Sequence, residues 1–226
     1  MNPTDLILIA PVLLFSMVAH EYAHGYVAMK NGDMTAYQLG RLTWNPIKHI
    51  DPFMTIILPV LLALAHAPIF GGAKPVPVNP RNYRNFKKGD IAVSLAGIIT
   101  NLIIAVICVP LAMLVYAIGS RVGGIAGPAS IIQIMLIFGI QLNVFLAAFN
   151  LIPLPPLDGS HVMKYLLPPA WSLRYQELGR YGLILLFVLI SFGRPLLNFW
   201  FKPAFAVISV LQNIVAPYIL PTQWTM

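Results

Sequence analysis

The stretch VAHEYAHGYVAMK, residues 18–30, places two histidines and a glutamate near the end of an almost unbroken apolar run. If this run is a helix, His20 and His24 lie on one face of it, because four residues turn through about 400° and rise ~6 Å. Both imidazole rings can therefore reach one metal ion. Glu21, beside them, can contact a water on that metal without being a ligand. The pattern is the H-E-x-x-H arrangement of zinc hydrolases.

The composition of the chain is that of an integral membrane protein. Of its 226 residues, 58% are hydrophobic and only 9% are charged, whereas a soluble domain has about 25% charged residues. A soluble fold of this length would lack the polar residues that cover a surface. Ionisable side chains inside membrane segments are costly and, as a rule, functional, which favours a functional role for the histidines and the glutamate. The single cysteine, Cys108, gives no disulfide framework.

Six apolar segments approach the roughly 20 residues that a membrane-crossing helix needs. They span residues 6–29, 52–70, 91–118, 131–150, 178–192 and 195–215. We therefore predict an all-α membrane protein, a polytopic helical bundle of about five to six transmembrane helices with no separate soluble domain. The net charge of +7 is expected to lie mainly in cytoplasmic loops, so it does not indicate a nucleic-acid partner.

Most lysine and arginine residues fall into three groups along the chain. The groups follow the first segment, precede the third, and separate the fourth from the fifth: Lys30, Arg41 and Lys48, then Arg81, Arg84, Lys87 and Lys88, then Lys164, Arg174 and Arg180. The positive-inside rule places all three groups on the cytoplasmic side and leaves Arg121 and Arg194 in loops on the other side. A single crossing by residues 52–70 would separate the first two groups.

We therefore predict a re-entrant element, in which residues 52–80 enter the membrane and return to the same side. The return leg is GGAKPVPVNP, residues 71–80, whose three prolines indicate an extended chain. Ten extended residues reach ~33–36 Å, enough to cross a hydrocarbon core of ~30 Å. Because lipid does not tolerate exposed backbone, this leg must be buried in protein or line a polar cavity. There it could pair with an extended substrate by strand addition.

A catalytic zinc ion usually has three protein ligands, so the two histidines need a partner. By residue type, the candidates are His49, His66, His161, Asp51, Asp90, Asp158 and Glu177. Depth favours Asp158, which follows the fourth segment on the same side as the histidines. The prolines of NLIPLPPLDG, residues 150–159, prevent a regular helix and let the chain aim this carboxylate inward. His49 and Asp51 are expected to cap a loop instead, and His161 could support the site from beside Asp158.

Together these motifs resemble those of the site-2 protease family of intramembrane zinc metalloproteases, in its compact bacterial type without PDZ or other appended domains. The resemblance rests on HEYAH followed much later by NLIPLPPLDG, and on GRLTWNPIKHIDP (residues 40–52) and GAKPVPVNPRNYRN (residues 72–85). It covers most of residues 10–165. It implies one Zn²⁺ per chain and four site residues: the metal ligands His20, His24 and Asp158, and the catalytic base Glu21.

The resemblance also implies that two asparagines, Asn101 and Asn150, form hydrogen bonds to the substrate or the transition state. Packing between helices is the alternative for both. Asn101 lies in AGIITN, which departs from the family pattern because Ile98 stands where a proline often follows the glycine. The expected organisation is a single intramembrane metalloprotease domain over residues 1–226, with a catalytic core at about 6–165 and C-terminal helices at about 178–217.

The implied activity is hydrolysis of peptide bonds in membrane-spanning proteins or peptides. The protein would be a multi-pass protein of the cell membrane, with its active site towards the cytoplasm and with the lipid bilayer and these substrates as partners. Two alternatives remain, a zinc-binding membrane transporter and a scaffold that has lost activity. Glu21 argues against both, because neither needs a base beside the metal.

Overall fold

The structure, a computed structural model, describes residues 3–66, 71–122 and 124–221. These residues form nine α-helices, and none of them forms a β-strand. The helices are α1 (Pro3–Lys30), α2 (Thr35–Gln38), α3 (Leu58–Leu64), α4 (Phe86–Gly119), α5 (Ala126–Asn150), α6 (Gly159–Met163), α7 (Pro169–Glu177), α8 (Gly182–Phe192) and α9 (Arg194–Val215). A π-helical stretch, Pro52–Ile57, precedes α3, and the 3₁₀ turn Leu178–Tyr181 joins α7 to α8.

Five helical stretches are long and apolar enough to cross a membrane. They are Ile7–Lys30, Phe86–Gly119, Ala126–Asn150, Pro169–Phe192 and Arg194–Tyr218. The prediction of an all-α polytopic membrane protein is therefore confirmed. The fourth stretch begins at Pro169 rather than at residue 178. Its first part, α7, was too polar to count as an apolar segment. The helix can begin at Pro169, because a proline fits the first turn of a helix.

Helices α1, α4 and α5 pack against one another, and α4 runs antiparallel to α1. His24 of α1 contacts Val93 of α4 towards one end of this pair, and Val12 and Cys108 both lie beside Gly139 of α5 towards the other. The core between the helices contains Cys108, Val109, Ala112, Ile140 and Val215. Large aliphatic side chains on the outward faces of α4 and α5 are exposed, as expected for helices that contact lipid.

Helix α9 runs in the same direction as α4 and starts at the end of the bundle where α5 ends. Nε1 of Trp200 donates a hydrogen bond to the carbonyl oxygen of Ala148, near the end of α5, at 2.9 Å. At the other end of α9, the rings of Tyr218 and Tyr116 lie 5.8 Å apart. Because Tyr116 belongs to the last turn of α4, the C-terminus of α9 lies at the far end of the bundle.

The prediction that Arg194 and Arg121 lie on one side is therefore wrong. Arg194 begins α9 near the end of α5, whereas Arg121 follows α4 at the opposite end. The reason is the packing of α8. Gly182 lies against Pro155, and Leu186 joins a core cluster with residues that follow α5. The chain thus stays beside the end of α5 until α9 begins. The stretch Pro169–Phe192, although long and apolar enough to cross a membrane, therefore does not reach the other end of the bundle.

Residues 33–66 leave the end of α1 and run back along this helix, and residues 71–85 return to the same end. The backbone N–H of Arg84 donates to the carbonyl of Asn31 (2.8 Å), and that of Asn79 donates to Oδ2 of Asp33 (2.6 Å). These contacts agree with the prediction that the chain enters the membrane and returns to the same side. Residues 67–70, which end the predicted segment 52–70, lie outside the described residues.

The outgoing leg begins earlier than the sequence predicts. The ring of Trp44 stacks on those of Tyr22 (4.7 Å) and Phe15 (6.2 Å), so the chain near residue 44 already lies beside the middle of α1. The prediction used apolarity alone, and the stretch around Trp44 is too polar to meet that criterion. Aromatic stacking, which a hydropathy pattern does not register, holds this stretch on α1.

Candidate metal centre

Three side chains converge beside the second half of α1: His20 and His24 from α1, and Asp158 from the segment before α6. The two Nε2 atoms lie 3.0 Å apart. Oδ2 of Asp158 lies 3.2 Å from Nε2 of His20 and 3.4 Å from Nε2 of His24. Within the ranges that the structure describes, this is the one group of three His, Cys, Asp or Glu side chains arranged to hold a metal ion.

The spacing and chemistry of these three atoms fit zinc. Ligand atoms that lie about 2.0–2.1 Å from one tetrahedral zinc ion stand roughly 3.3 Å from each other. Oδ2 of Asp158 is buried and makes no hydrogen bond to the residues that the structure describes. A buried carboxylate oxygen needs a partner, and a cation bound by the two imidazole nitrogens would supply it.

Helix α4 fixes the orientation of both histidine rings. Nδ1 of His24 lies 2.7 Å from the carbonyl oxygen of Val93, which can only accept a hydrogen bond. Nδ1 of His20 lies 3.3 Å from Oδ1 of Asn101. When Nδ1 donates its proton in this way, the lone pair on Nε2 is free to bind a metal. The contacts with α4 therefore select the ring form that a metal site requires.

Gly97 allows α4 to approach His20 closely. A Cβ atom at residue 97 would lie 2.5–2.6 Å from three atoms of the His20 ring, which is closer than non-bonded atoms come. Asn101, one helical turn further along, is completely buried against the same ring. This side chain, a predicted substrate-binding residue, is thus in contact with a candidate metal ligand.

Asp158 reaches the histidines because the chain folds back after α5. Gly159 lies against the carbonyl of Leu151, which closes the proline-containing segment between α5 and α6 into a compact loop. Burial alone would raise the pKa of the Asp158 carboxyl, but its contacts with His20 and His24 hold this pKa well below the usual range. Metal binding likewise requires the ionised form of this carboxyl.

Glu21 contacts the return leg, residues 71–80. Its Oε2 accepts a hydrogen bond from the backbone N–H of Val76 at 2.7 Å. The side chain of Val76 also faces Gly25, one turn further along α1. The return leg therefore lies along the same part of α1 as the candidate metal ligands, and it holds the predicted base.

Several backbone donors of the return leg are already used. The N–H of Gly72 donates to Met54 O (3.2 Å) and that of Lys74 to His49 O (2.8 Å), while that of Val76 donates to Glu21. Residues 75 and 77 are prolines and have no N–H. Residues 74–77 thus have no free donor for a substrate strand, and strand addition there would rely on carbonyl groups alone.

The other candidates from the sequence lie away from the three ligand atoms. Nδ2 of Asn150 donates to a carbonyl of its own helix at 3.0 Å. His49 is buried and contacts a loop carbonyl, and Asp51 caps the π-helical stretch rather than a loop. Asp90 contacts His161 at 3.3 Å. His66 and Glu177 are exposed.

Sequence reasoning did not identify Val93 or Gly97 as parts of the site. Val93 acts through its backbone carbonyl, so no side-chain pattern marks it. Gly97 lies four residues before Asn101 and therefore on the same face of α4, and this spacing was the available signal.

Comparison with known proteins places the chain in a family. The model of peptidase family M50 matches residues 8–192. The chain is 42% identical over 177 residues to "Putative zinc metalloprotease YwhC" of Bacillus subtilis (strain 168), which covers 78% of this chain and 77% of the relative. It is 31% identical over 198 residues to "Putative zinc metalloprotease Rip2" of Mycolicibacterium smegmatis. This match covers 86% of this chain and 70% of the relative.

A third relative comes from an archaeon. The chain is 29% identical over 187 residues to "Putative zinc metalloprotease MJ0611" of Methanocaldococcus jannaschii, which covers 78% of this chain and 82% of the relative. No solved structure gives a significant match.

The apolar helices and the His–His–Asp cluster, taken with these matches, define a multi-pass membrane metalloprotease. The chain belongs to peptidase family M50, the site-2 protease family. The resemblance inferred from the sequence motifs is confirmed.

Proposed function

We propose that this protein hydrolyses peptide bonds of membrane-spanning proteins or peptides. One zinc ion, the cofactor that the family and the named relatives support, is held by His20, His24 and Asp158. Glu21 is the catalytic base. The observation that carries the proposal is the convergence of three ligand atoms from two distant parts of the chain, with Glu21 adjacent in sequence to the first of them.

The chain's own residues perform the proton transfers. Bound zinc would polarise the scissile carbonyl and make a water molecule nucleophilic near neutral pH. Glu21 takes the proton of the attacking water and delivers it to the leaving amine. Its Oε2 is held by the N–H of Val76, so we assign the transfer to Oε1. Asn101 keeps the ring of His20 in the orientation that directs Nε2 towards the ion.

The substrate is a transmembrane segment that unwinds locally before attack. In an intact helix the peptide groups are bonded to each other and shielded, so a stretch near the site must become extended. The return leg lies beside Glu21 and forms one wall of the path by which the substrate reaches the site. The exposed Lys74 places a positive charge on this wall. Asn150 is partly exposed eight residues before Asp158 and remains our candidate for binding the substrate backbone.

We further propose that residues 1–226 form one domain in the cell membrane, with the metal centre towards the cytoplasm. One core cluster joins α4, α5, α8 and α9, which supports a single packed unit. The basic residues support the orientation: Arg84, Lys88 and Arg194 lie towards the Asp158 end of the bundle, and Arg121 lies at the other.

Cysteine labelling tests this orientation. Single cysteines at residues 88 and 194, in a Cys108→Ser background, should react with a membrane-impermeant reagent from the cytoplasmic face. A cysteine at residue 121 should react from the opposite face. Reaction of residues 88 and 121 from one face would contradict the proposed topology.

A cleavage assay with metal analysis tests the activity. Purified wild type in liposomes should contain about one zinc per chain and cleave a model transmembrane substrate. Glu21→Gln should retain the zinc and lose about 10²–10⁴-fold in rate, the contribution of a general base. Zinc binding by a wild type that cleaves no substrate would favour the transporter instead.

A further inference from the structure

One face of α4 contacts both halves of the metal centre. Asp90, Val93, Gly97 and Asn101 are spaced by three, four and four residues, so they lie in one row along the helix. The last three residues of this row contact His24 and His20, as described above. Asp90, at the start of the row, contacts a different element, the short helix α6 and the residues after it.

The carboxylate of Asp90 is buried and has three partners from this element. Oδ2 lies 2.6 Å from Nζ of Lys164 and accepts a hydrogen bond from the hydroxyl of Tyr165 at 2.9 Å. Oδ1 lies 3.3 Å from Nδ1 of His161. Only 3% of Asp90 is exposed, so these contacts satisfy a charge that would otherwise be costly to bury.

All three partners follow Asp158 within seven residues. Asp158 occupies the position just before α6, His161 lies within α6, and Lys164 and Tyr165 follow directly. Helix α6 has only five residues, too few to be stable without tertiary contacts. The segment before it contains prolines and forms no regular helix. The position of Asp158 therefore depends on the contacts of its neighbours.

We propose that Asp90 is a positioning residue for the metal centre, which holds α6 against α4 so that Asp158 meets the two histidines. The same helix face sets the rings of His20 and His24, so α4 fixes all three ligands relative to one another. This inference rests on the proposed ligand set. Contacts that orient metal ligands from outside typically contribute 10–100-fold to metal affinity.

Zinc affinity measured against a competing chelator tests the inference, in parallel with thermal unfolding of the metal-free protein. Asp90→Asn keeps the shape of the side chain and removes its charge. We expect it to weaken zinc binding by about 10–100-fold. Lys164→Met, which removes one partner and leaves the other two, should weaken binding by a smaller factor and serves as a second variant if Asp90→Asn does not fold.

Gln133→Leu is the matched control. Gln133 is also a buried polar residue, with 1% exposure, but it lies at the opposite end of the bundle. Its Nε2 donates to Ala112 O and Tyr218 O, and its Oε1 accepts from the N–H of Leu220. The substitution should lower the unfolding temperature and leave zinc affinity within twofold of wild type.

Two results would overturn the inference. In the first, Asp90→Asn and Lys164→Met bind zinc as wild type does while Asp158→Ala loses it, so that Asp90 serves stability alone. In the second, Gln133→Leu weakens zinc binding as much as Asp90→Asn does, so that affinity merely follows stability. If Asp158→Ala itself retained full zinc affinity, the proposed ligand set would fail, and that outcome is distinct from the other two.

Discussion

Two partners pack on α1 beside the metal centre, and they are held in different ways. Helix α4 satisfies its backbone groups within the helix, so its contacts with the histidines follow from regular helical spacing. The return leg has no such internal bonds. Side chains from other segments form hydrogen bonds with its backbone groups one by one. Thr55 Oγ1 donates to Gly72 O, and Arg41 donates to the carbonyls of Lys74 and Pro75. Glu21 accepts from the N–H of Val76.

This difference separates two functions. The regular element sets the geometry of the proposed metal ligands, which must be accurate for zinc to bind. In the proposed mechanism, the irregular element holds the base and borders the path of the substrate. Substitutions on the α4 side should therefore change metal binding, whereas substitutions on the return leg should change turnover and leave the metal in place.

Removal of a proposed metal ligand should have the largest effect. In His20→Ala, His24→Ala or Asp158→Ala, two ligands cannot retain the ion, so bound zinc should fall to near zero and cleavage should become undetectable. Elemental analysis of the purified variants checks this. Full zinc occupancy in Asp158→Ala would exclude it as the third ligand.

Loss of the hydrogen bond between Val76 and Glu21 should come next. Val76→Pro removes the N–H at a residue that already lies between two prolines, so the extended backbone should tolerate it. One hydrogen bond to a charged group contributes about 1.5–3 kcal/mol, so turnover should fall by about tenfold or more with zinc content unchanged.

Val76→Ala is the control for this change, because it keeps the N–H and removes the packing of the side chain against Gly25. Equal turnover in Val76→Pro and Val76→Ala would mean that the hydrogen bond does not position Glu21.

Two adjacent glycines of the return leg should respond differently to a valine. A Cβ atom at residue 72 would have nothing within 4 Å, whereas one at residue 71 would lie 2.6 Å from the carbonyl oxygen of Met54. Gly72→Val should keep the wild-type zinc content and unfolding temperature and lower turnover several-fold by narrowing the substrate path. Gly71→Val should lower the unfolding temperature. Unchanged turnover in Gly72→Val would mean that the substrate approaches by another route.

The smallest functional effect should come from Asp33, which ties the end of α1 to the end of the return leg. Burial opposes its charge, but hydrogen bonds from Asn79, Thr35 and Asn82 hold the pKa of Asp33 below the usual range. Asp33→Asn should lower the free energy of unfolding at neutral pH by about 1–3 kcal/mol. Zinc content should not change.

The effect of Asp33 depends on pH in a defined direction. Because its pKa is lower in the folded than in the unfolded protein, its stabilisation is complete above the unfolded value, about pH 4, and is lost as pH falls through the folded value. Unfolding curves of wild type and Asp33→Asn should therefore converge below about pH 4. A constant difference across this range would contradict the proposed role.

The convergence of the candidate ligands could be predicted because local rules apply to each. The spacing of His20 and His24 places them on one helix face, and the depth of Asp158 brings it to the same level. The partners of Asp90 could not be predicted, because they lie more than 70 residues away and no periodicity links them. The start of α9 near α5 depends on the packing of α8, which the sequence pattern does not encode.

The row of contacts along α4 makes this helix sensitive to length rather than only to composition. One residue inserted between Asp90 and Val93 would rotate Asp90 by about 100° and shift it by about 1.5 Å relative to the rest of the row. Asp90, which contacts α6, would then face a different direction from the residues that contact the histidines, although every side chain would still be present. An insertion of the same size near Leu114, beyond the last residue of the row, would leave all four residues of the row on one face of α4.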